Sequence, residues 1–375
     1  MKQSPSDPVA GAPKRARTPY LIREIAAQSG LSPATIDRVL HRRGGVRPGT
    51  VREVEQAIAD LDRQRSQLRI GGRTFMLDVV VQSPPRFTAA VRAALEAELP
   101  ALRPAVLRCR FHFLDGGPPD ELVTVLDKVA RNRSHGVILK APDSPEVVAA
   151  VARLDRQGTP VVAFVTDLPT SARKAYAGID NRSAGATAAY LVRQWLGDRP
   201  GEVLVVRGRG SFHGEDEREM GFRAGMRAQG MSRTLREVVD EEDRADAVHI
   251  GTRELLAAHP EVRAVYSLYA GAGGNTAVVD AFDRETRKYD VFIAHDLDGE
   301  NAQLLRDGRL SAVLHHDLRQ DLRHACHLVL QAQGELPGPP RSQPSPVQVI
   351  TPYNGPESPV LVRQPGKPAA ERIEP

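Results

Sequence analysis

Residues 30–45 read GLSPATIDRVLHRRGG, and their side chains are suited to touching another molecule rather than reacting with one. Pro33, Ala34, Asp37 and Arg38 fall on the polar face of a short amphipathic run. The Arg38 guanidinium can donate two hydrogen bonds to one guanine edge, and the Ala34 methyl can meet a thymine methyl. Thr35, His41, Arg42, Arg43, Arg47 and Thr50 are types that grip phosphates, which sets register and affinity more than base preference. Asp37 is the exception, because phosphate repels a carboxylate. It can accept from a cytosine amine, orient Arg42 or Arg38, or stand as a solvated helix charge.

A second set of polar residues lies further along, each following an apolar run. These are Gln82 and Ser83, Asp115, Lys140, Asp167, Asp180 and Asn181, Arg207 and Arg209, Tyr269, Asp296, and His316. Acids, an arginine and amides converging on one cleft suit a polyhydroxylated ligand, since every hydroxyl both donates and accepts. Lys140 suits an anionic group on such a ligand, or is a surface lysine. Asp296 with Asp298 resembles a metal pair, as does His315-His316. No neighbouring set has ligand spacing, so no metal is expected. Adjacent strand residues point to opposite faces, so one of the two histidines is expected to line the cleft while the other packs. The segments G-x-S-x-G, H-E-x-x-H and the Walker loop are absent, and RGRGSFHG (207–214) lacks a phosphate-cradle pattern. The expectation is binding without catalysis and without a cofactor.

The elements that must position these residues fall into two groups. Apolar residues at 21, 22, 25 and 26 have helical spacing, with Thr18-Pro19 placed to start a helix and Gly30 to stop it. Leu31 plugs the corner. Ser32 reads as an N-cap ahead of Pro33, opening a helix to about His41 that buries Ile36, Val39 and Leu40. A third helix from Pro48 to about Leu61 carries Val51, Val54, Ala57, Ile58 and Leu61. Helix, tight turn, helix and covering helix describe a helix-turn-helix module over 18–62. Thr18 and Ser32 complete its candidate DNA contacts.

From Thr74 onward apolar runs alternate with helical segments. Strands are expected at 75–82, 107–114, 135–140, 160–165, 176–180, 202–208, 264–269, 290–296, 310–316 and 347–352. Alternation implies parallel sheets with helices on both faces. Ten strands are more than one sheet usually holds, so two lobes are expected, and ligands bind at the carboxyl ends of such strands. The fold class is therefore a small all-α head plus a two-lobed α/β body. The expected division is a lead-in at 1–17, the head at 18–62, a basic hinge or linker at 63–74, a ligand-binding domain at 75–354 and a tail at 355–375. Lobe 1 takes about 75–179 and 317–345, and lobe 2 about 180–316 and 346–354.

Charge is asymmetric along the chain. Residues 1–73 hold 14 Lys/Arg against 7 Asp/Glu, a net +7, while the remainder holds 37 against 40, a net −3. A basic head on a near-neutral body fits a nucleic-acid module joined to something else. No run of eighteen apolar residues occurs, and MKQSPSDPVAGAPKRART lacks the apolar segment of a secretory signal. Two distant cysteines, Cys109 and Cys326, suggest reduced thiols. A cytoplasmic protein with no membrane partner is expected.

The stretch IREIAAQSGLSPATIDRVLHRRGGVRPGTVREVEQAIADL resembles the DNA-binding head of the lactose-repressor (LacI) family without a gap over about forty residues. Two places depart from that pattern. The family usually has Ser where this chain has Asp37, and its hinge helix carries a minor-groove Leu that neither Leu68 nor Ile70 of RQRSQLRIGGRT matches in position. The body, roughly 75–354, resembles the ribose-binding type of periplasmic binding protein, the ligand half of LacI-type regulators. The resemblance implies ligand contacts for Asp167 in TPVVAFVTD, Arg218 in EDEREMGFRAGM, Asn275 in GAGGN, Asp296 in VFIAHD, His316 in SAVLHHD and Phe87 in QSPPRF, beside Ser83 and Lys140. Asp180-Asn181 matches the first crossing to lobe 2 or is a structural turn, and Arg218 grips ring hydroxyls or pairs with Glu215 or Glu217.

Together these imply a homodimeric repressor on a palindromic double-stranded operator, controlling a carbohydrate-uptake or catabolic operon through a sugar or polyol effector. A nucleoside or sugar acid is the alternative effector. A solute-binding transport component would share the body but not the basic head.

Overall fold

The computed structural model describes residues 19–70, 73–102, 105–208, 212–228, 233–241 and 243–355, with the backbone alone over 63–70. Three helices open it: α1 (Ile22–Ser29), α2 (Pro33–Leu40) and α3 (Pro48–Ile70). The Glu24 carboxylate accepts from the Leu21 N–H at 2.7 Å. Gly30, at φ 71°, ends α1 with its N–H on the Ala26 carbonyl, a backbone conformation that favours glycine. Ser32 Oγ accepts from the Thr35 N–H at 3.2 Å and caps α2 ahead of Pro33. Ile25, Ile36 and Val54 are fully buried where the helices meet, with Leu31 packed against them. Thr18, expected at the entry to α1, lies outside the described residues.

The third helix does not end near Leu61 as expected. α3 runs on to Ile70, through most of segment 63–74. RQRSQLRI contains neither Gly nor Pro, and its Arg, Gln and Leu are strong helix formers. Nothing in it stops the helix before Gly71.

The first sheet contains β1 (Thr74–Gln82), β2 (Val106–Leu114), β3 (Gly136–Lys140), β4 (Val161–Phe164) and β5 (Ala175–Ala177), all parallel in the order β2-β1-β3-β4-β5. α4 (Pro85–Glu98) covers one face, and α5 (Pro119–Arg131) with α6 (Pro145–Arg156) covers the other. The chain then crosses to α7 (Asn181–Leu196), β6 (Glu202–Gly208), α8 (His213–Arg227), β7 (Leu235–Asp240), α9 (Ala245–Ala258), β8 (Val262–Ser267), α10 (Gly274–Arg284), β9 (Val291–His295), α11 (Gly299–Arg306) and β10 (Ala312–His315). α12 (Leu318–Ala332) returns to the first lobe beside α4, and β11 (Gln348–Ile350) joins the second sheet antiparallel to β10. That sheet has the order β11-β10-β9-β8-β6-β7. Two crossings run side by side, bridged between Ile179 and Ser345.

Every strand expected from the sequence has a counterpart. β7 is additional, and the reason is visible in LREVVD: it is an edge strand with only Val238 and Asp240 buried, so it shows no apolar run. Cys109 and Cys326 are free thiols. Among the described residues no helix is long and apolar enough to cross a membrane.

One contact in the second lobe sets up the site. α7 and α8 touch backbone to backbone: a Cβ on Gly185 would lie 1.9 Å from the Arg218 carbonyl oxygen, and one on Gly221 would lie 2.0 Å from that of Arg182. Gly185→Ala or Gly221→Ala is expected to cost about 1–3 kcal/mol, because a packed helix pair must move apart. Gly251→Ala on α9, where a Cβ would meet nothing nearer than 3.6 Å, should instead stabilise by about 0.4–1 kcal/mol. Urea midpoints at unchanged slope measure both.

Candidate functional site

The carboxyl ends of both sheets face a cavity enclosing about 160 Å³. At ~10–15 Å³ per water-sized probe this is room for one small polar ring. The first lobe supplies Ser83 after β1, Arg86 and Phe87 from α4, Lys140 from the end of β3, and Val165 and Thr166 after β4. The second supplies Asn181, Phe212, Glu215 and Arg218 from α7, α8 and the loop before α8, then Ser267, Tyr269, Asn275, Asn301 and the segments 295–298 and 315–316.

Of the eight residues read from the sequence as ligand contacts, Ser83, Phe87, Lys140, Arg218, Asn275, Asp296 and His316 line this cavity. Asp167 does not. Its carboxylate takes both arms of the Arg173 guanidinium, with Nη2 at 2.6 Å from Oδ2, and Oδ1 accepts from the Leu168 N–H. Val165 and Thr166 face the cavity instead. Both His315 and His316 line it, against the expectation that one would pack. β10 ends at His315, so His316 is outside the pleat whose alternation that expectation assumed.

Arg218 does not pair with Glu215 or Glu217. Its Nε donates to Asn181 Oδ1 at 2.8 Å and its Nη1 to the Leu268 carbonyl at 3.3 Å, while Asp296 Oδ2 lies 3.9 Å away. Asn181 is therefore a cavity residue, whereas Asp180 is the N-cap of α7. Asp298 caps α11 and pairs with Arg86 at 2.7 Å across the cleft. Among the described residues no three His, Cys, Asp or Glu side chains are grouped to hold a metal. Lys140 is not a surface lysine. It is 8 % exposed, donates to the Gln82 carbonyl at 3.2 Å, and lies 3.7 Å from the Phe212 ring centre and 5.5 Å from that of Phe87.

The head residues divide by exposure. Ser32, Pro33, Ala34, Arg38, His41, Arg42, Arg43 and Arg47 are exposed, and Thr35, Asp37 and Thr50 are half-buried. Asp37 orients neither Arg38 nor Arg42. Its carboxylate accepts from Arg43 Nη1 at 2.7 Å and lies 2.9 Å from His41 Nδ1. Its charge is thus answered within α2 and the turn after it.

A family model described as a periplasmic binding protein domain matches residues 79–335. The chain belongs to that family. No match is found among curated proteins. Among solved structures, the glucose-galactose binding protein GanP of Geobacillus stearothermophilus is 20% identical with a TM-score of 0.65, covering 75% of this chain and 99% of its own. A solute-binding protein of Burkholderia graminis C4D1M in complex with D-arabinose is 20% identical with a TM-score of 0.64, covering 76% and 97%. A putative LacI transcriptional regulator from Bacteroides fragilis is 14% identical with a TM-score of 0.66, covering 75% and 98%. At these identities the likeness is one of fold.

Within this periplasmic-binding-protein cleft, four buried polar atoms have no hydrogen-bond partner among the described residues: Ser267 Oγ, Asn275 Oδ1, His295 Nδ1 and Asp296 Oδ1. Ser267 Oγ, Asn275 Oδ1 and Asp296 Oδ1 can each accept a hydrogen bond, His295 Nδ1 accepts or donates with its tautomer, and buried polar groups left unpaired are rare. Two cavity residues, Val165 at φ 66° and Asp296 at φ 63°, hold left-handed backbone that costs a non-glycine residue energy and is concentrated at binding sites. Thr166, Asn181, Glu215, Ser267, His295 and Asn301 join the wall beyond the residues the sequence marked as ligand contacts. Their shared signal is position at a strand end or helix start, which many non-site residues also have.

Electrostatics follow burial. Burial alone would raise the Asp296 carboxyl, but Arg218 and then the neighbouring histidines outweigh it and hold it at about 2. Burial pushes Lys140 down to about 8 and Glu215 up to about 7. Between the ordinary 4.5 and about 7, the folded chain keeps a proton on Glu215 that the unfolded chain has lost. Stability from this group is full below that window and falls as pH rises through it. Glu215→Gln should therefore gain stability relative to the parent as pH rises from about 4.5 to 7, measured by urea unfolding at several pH values. Parallel profiles for the two proteins would refute the assignment.

Proposed function

We propose that this chain is a DNA-binding transcription regulator, acting as a repressor of a carbohydrate-uptake or catabolic operon. A small sugar-like effector held between the lobes controls it. The observation that carries the reading is the presence, in one chain, of a two-lobed cleft and a basic three-helix unit whose second helix exposes Arg38. Ser32 and Pro33 start that helix, and Arg42, Arg43 and Arg47 follow it as candidate phosphate contacts, with Thr35, His41 and Thr50 beside them. The cleft's orphaned acceptors support a hydroxylated effector, and two similar structures are described as a glucose-galactose binding protein and a D-arabinose complex. A single short reading helix binds weakly, so the reading includes a homodimer on a palindromic operator and a cytoplasmic location.

A solute-binding component is the second reading, favoured by the sugar-binding proteins among the similar structures. DNA binding separates the two. In the regulator reading, full-length protein retards a palindromic duplex selected from random sequence, and a matching sugar changes that affinity. Binding should weaken steeply with salt, as phosphate contacts require. Arg38→Ala is expected to cost roughly 1–3 kcal/mol and relax base preference at one position per half-site. Equal weakening on every sequence would make Arg38 a phosphate contact, and no retardation at low salt would favour the solute-binding reading.

A further inference from the structure

We propose that the effector carries an ammonium group as well as hydroxyls, as in an amino sugar or aminocyclitol, with its ring in the inner cavity and its cation in an acidic vestibule beside it. The proposal rests on the cleft being the effector site and narrows the chemistry of that effector.

The vestibule encloses about 780 Å³ and shares Ser83, Phe212, Glu215 and Tyr269 with the inner cavity. Among the described residues its wall carries six acids, Asp115, Asp143, Asp240, Glu241, Asp243 and Glu215, the last of which burial keeps protonated up to about pH 7, and no Lys or Arg. The donors that reach them among the described residues are neutral. Asp143 accepts from the Thr170 hydroxyl and Asp243 from the Tyr269 hydroxyl. Asp240 accepts from the backbone N–H groups of Arg244 and Gly271. No cation among the described wall residues pairs with these acids, and Lys140 and Arg218 of the inner cavity are the nearest opposing charges, whereas the inner cavity sets Arg86, Lys140 and Arg218 against Glu215, Asp296 and Asp298 in its lining. The inner lining is balanced in charge and the vestibule is acidic, with Glu215 lining both.

A second observation points to a ligand. Gln82 is 6 % exposed and lines the vestibule. Its Nε2 donates to the Gly117 carbonyl at 3.2 Å, which leaves Oε1 buried and without a partner. That oxygen requires a donor, and an ammonium beside carboxylates is the donor the field favours. The acids are spread around the wall rather than grouped to hold a metal among the described residues, which suits an organic cation. A neutral sugar would bring no cation to these acids, and a sugar acid would set an anion against them.

The test is isothermal titration of the full-length protein near pH 6.5 with D-glucosamine, N-acetyl-D-glucosamine, D-glucose and D-gluconate. D-glucosamine is expected to bind about tenfold more tightly than the acetylated or neutral sugar, with D-gluconate weakest, and its preference should shrink as salt is raised. The double variant Asp143→Asn/Asp243→Asn should lose at least about fivefold in D-glucosamine affinity and little in D-glucose affinity. D-glucose or D-gluconate binding as tightly as D-glucosamine would overturn the ammonium proposal and leave a carbohydrate effector standing, as would a double variant with unchanged D-glucosamine affinity. No binding by any of the four to folded protein would overturn both.

Discussion

Arg218 is 5 % exposed, and a charge that deep must be held by dipoles or by an opposite charge. Here an amide oxygen and a backbone carbonyl accept two of its N–H groups, fewer than the five a guanidinium offers. Asp296, at 3.9 Å, completes the balance without closing a tight pair. The guanidinium is thus fixed in place but left with donors to spare, which is the condition for gripping a ligand. Its position depends on small residues elsewhere, because α7 and α8 approach through Gly185 and Gly221. A bulkier residue at either glycine would move Asn181 and Arg218 apart. The field this arrangement creates keeps Asp296 ionised, and the same Arg218 charge opposes protonation of Lys140.

The two lobes are also joined directly across the cleft. Arg86 reaches from α4 to Asp298 and to the Ala270 carbonyl. Thr166 Oγ1 accepts from the Gly214 N–H at 2.9 Å, and Asn181 Nδ2 donates to the Val165 carbonyl at 3.2 Å. These bonds lie at the rim and floor of the cavity, so opening the lobes breaks them and occupying the cavity adds to them. A ligand that touches both walls stabilises the closed arrangement by its differential contacts alone. Strained backbone at Val165 and Asp296 lies on both sides of that contact, one residue per lobe.

Much of this was legible in the sequence because the governing signals are local. Gly30, Ser32 and Pro33 each have one conformational role, and the α1–α2 corner follows from them. The buried strands of a parallel sheet are continuous apolar runs, which is why β1, β3 and β9 are plain in the sequence. β7 is not, because an edge strand needs to bury only one face. Asp167 illustrates a limit of a different kind. An acid after a strand serves a ligand or a neighbouring arginine equally well, and Arg173, six residues on, decides the matter only through loop geometry. Asp37 is similar: its partner Arg43 lies beyond the helix end, reached through a left-handed Arg42 at φ 51° that no spacing rule foretells. The acidic vestibule was illegible for a further reason. Asp240, Glu241 and Asp243 are close in sequence, but Asp115, Asp143 and Glu215 come from distant segments, and only folding puts them all around one space.

The path from cleft to head is short in chain terms. α3 ends at Ile70 and β1 begins at Thr74, a separation the chain spans in at most roughly 14 Å. β1 lies inside its sheet between β2 and β3, and Ser83, the residue after it, lines the cavity. A strand paired on both sides cannot slide alone, so β1 moves with its lobe. A long flexible linker would let the head wander whatever the cleft held. A helix continuing to within four residues of the sheet shortens that connection, and under the proposed regulator reading the separation of two heads would follow from how two such lobes are placed. Under that reading the coupling would need no contact between effector and head, only a body whose lobes take different positions when the cavity is filled.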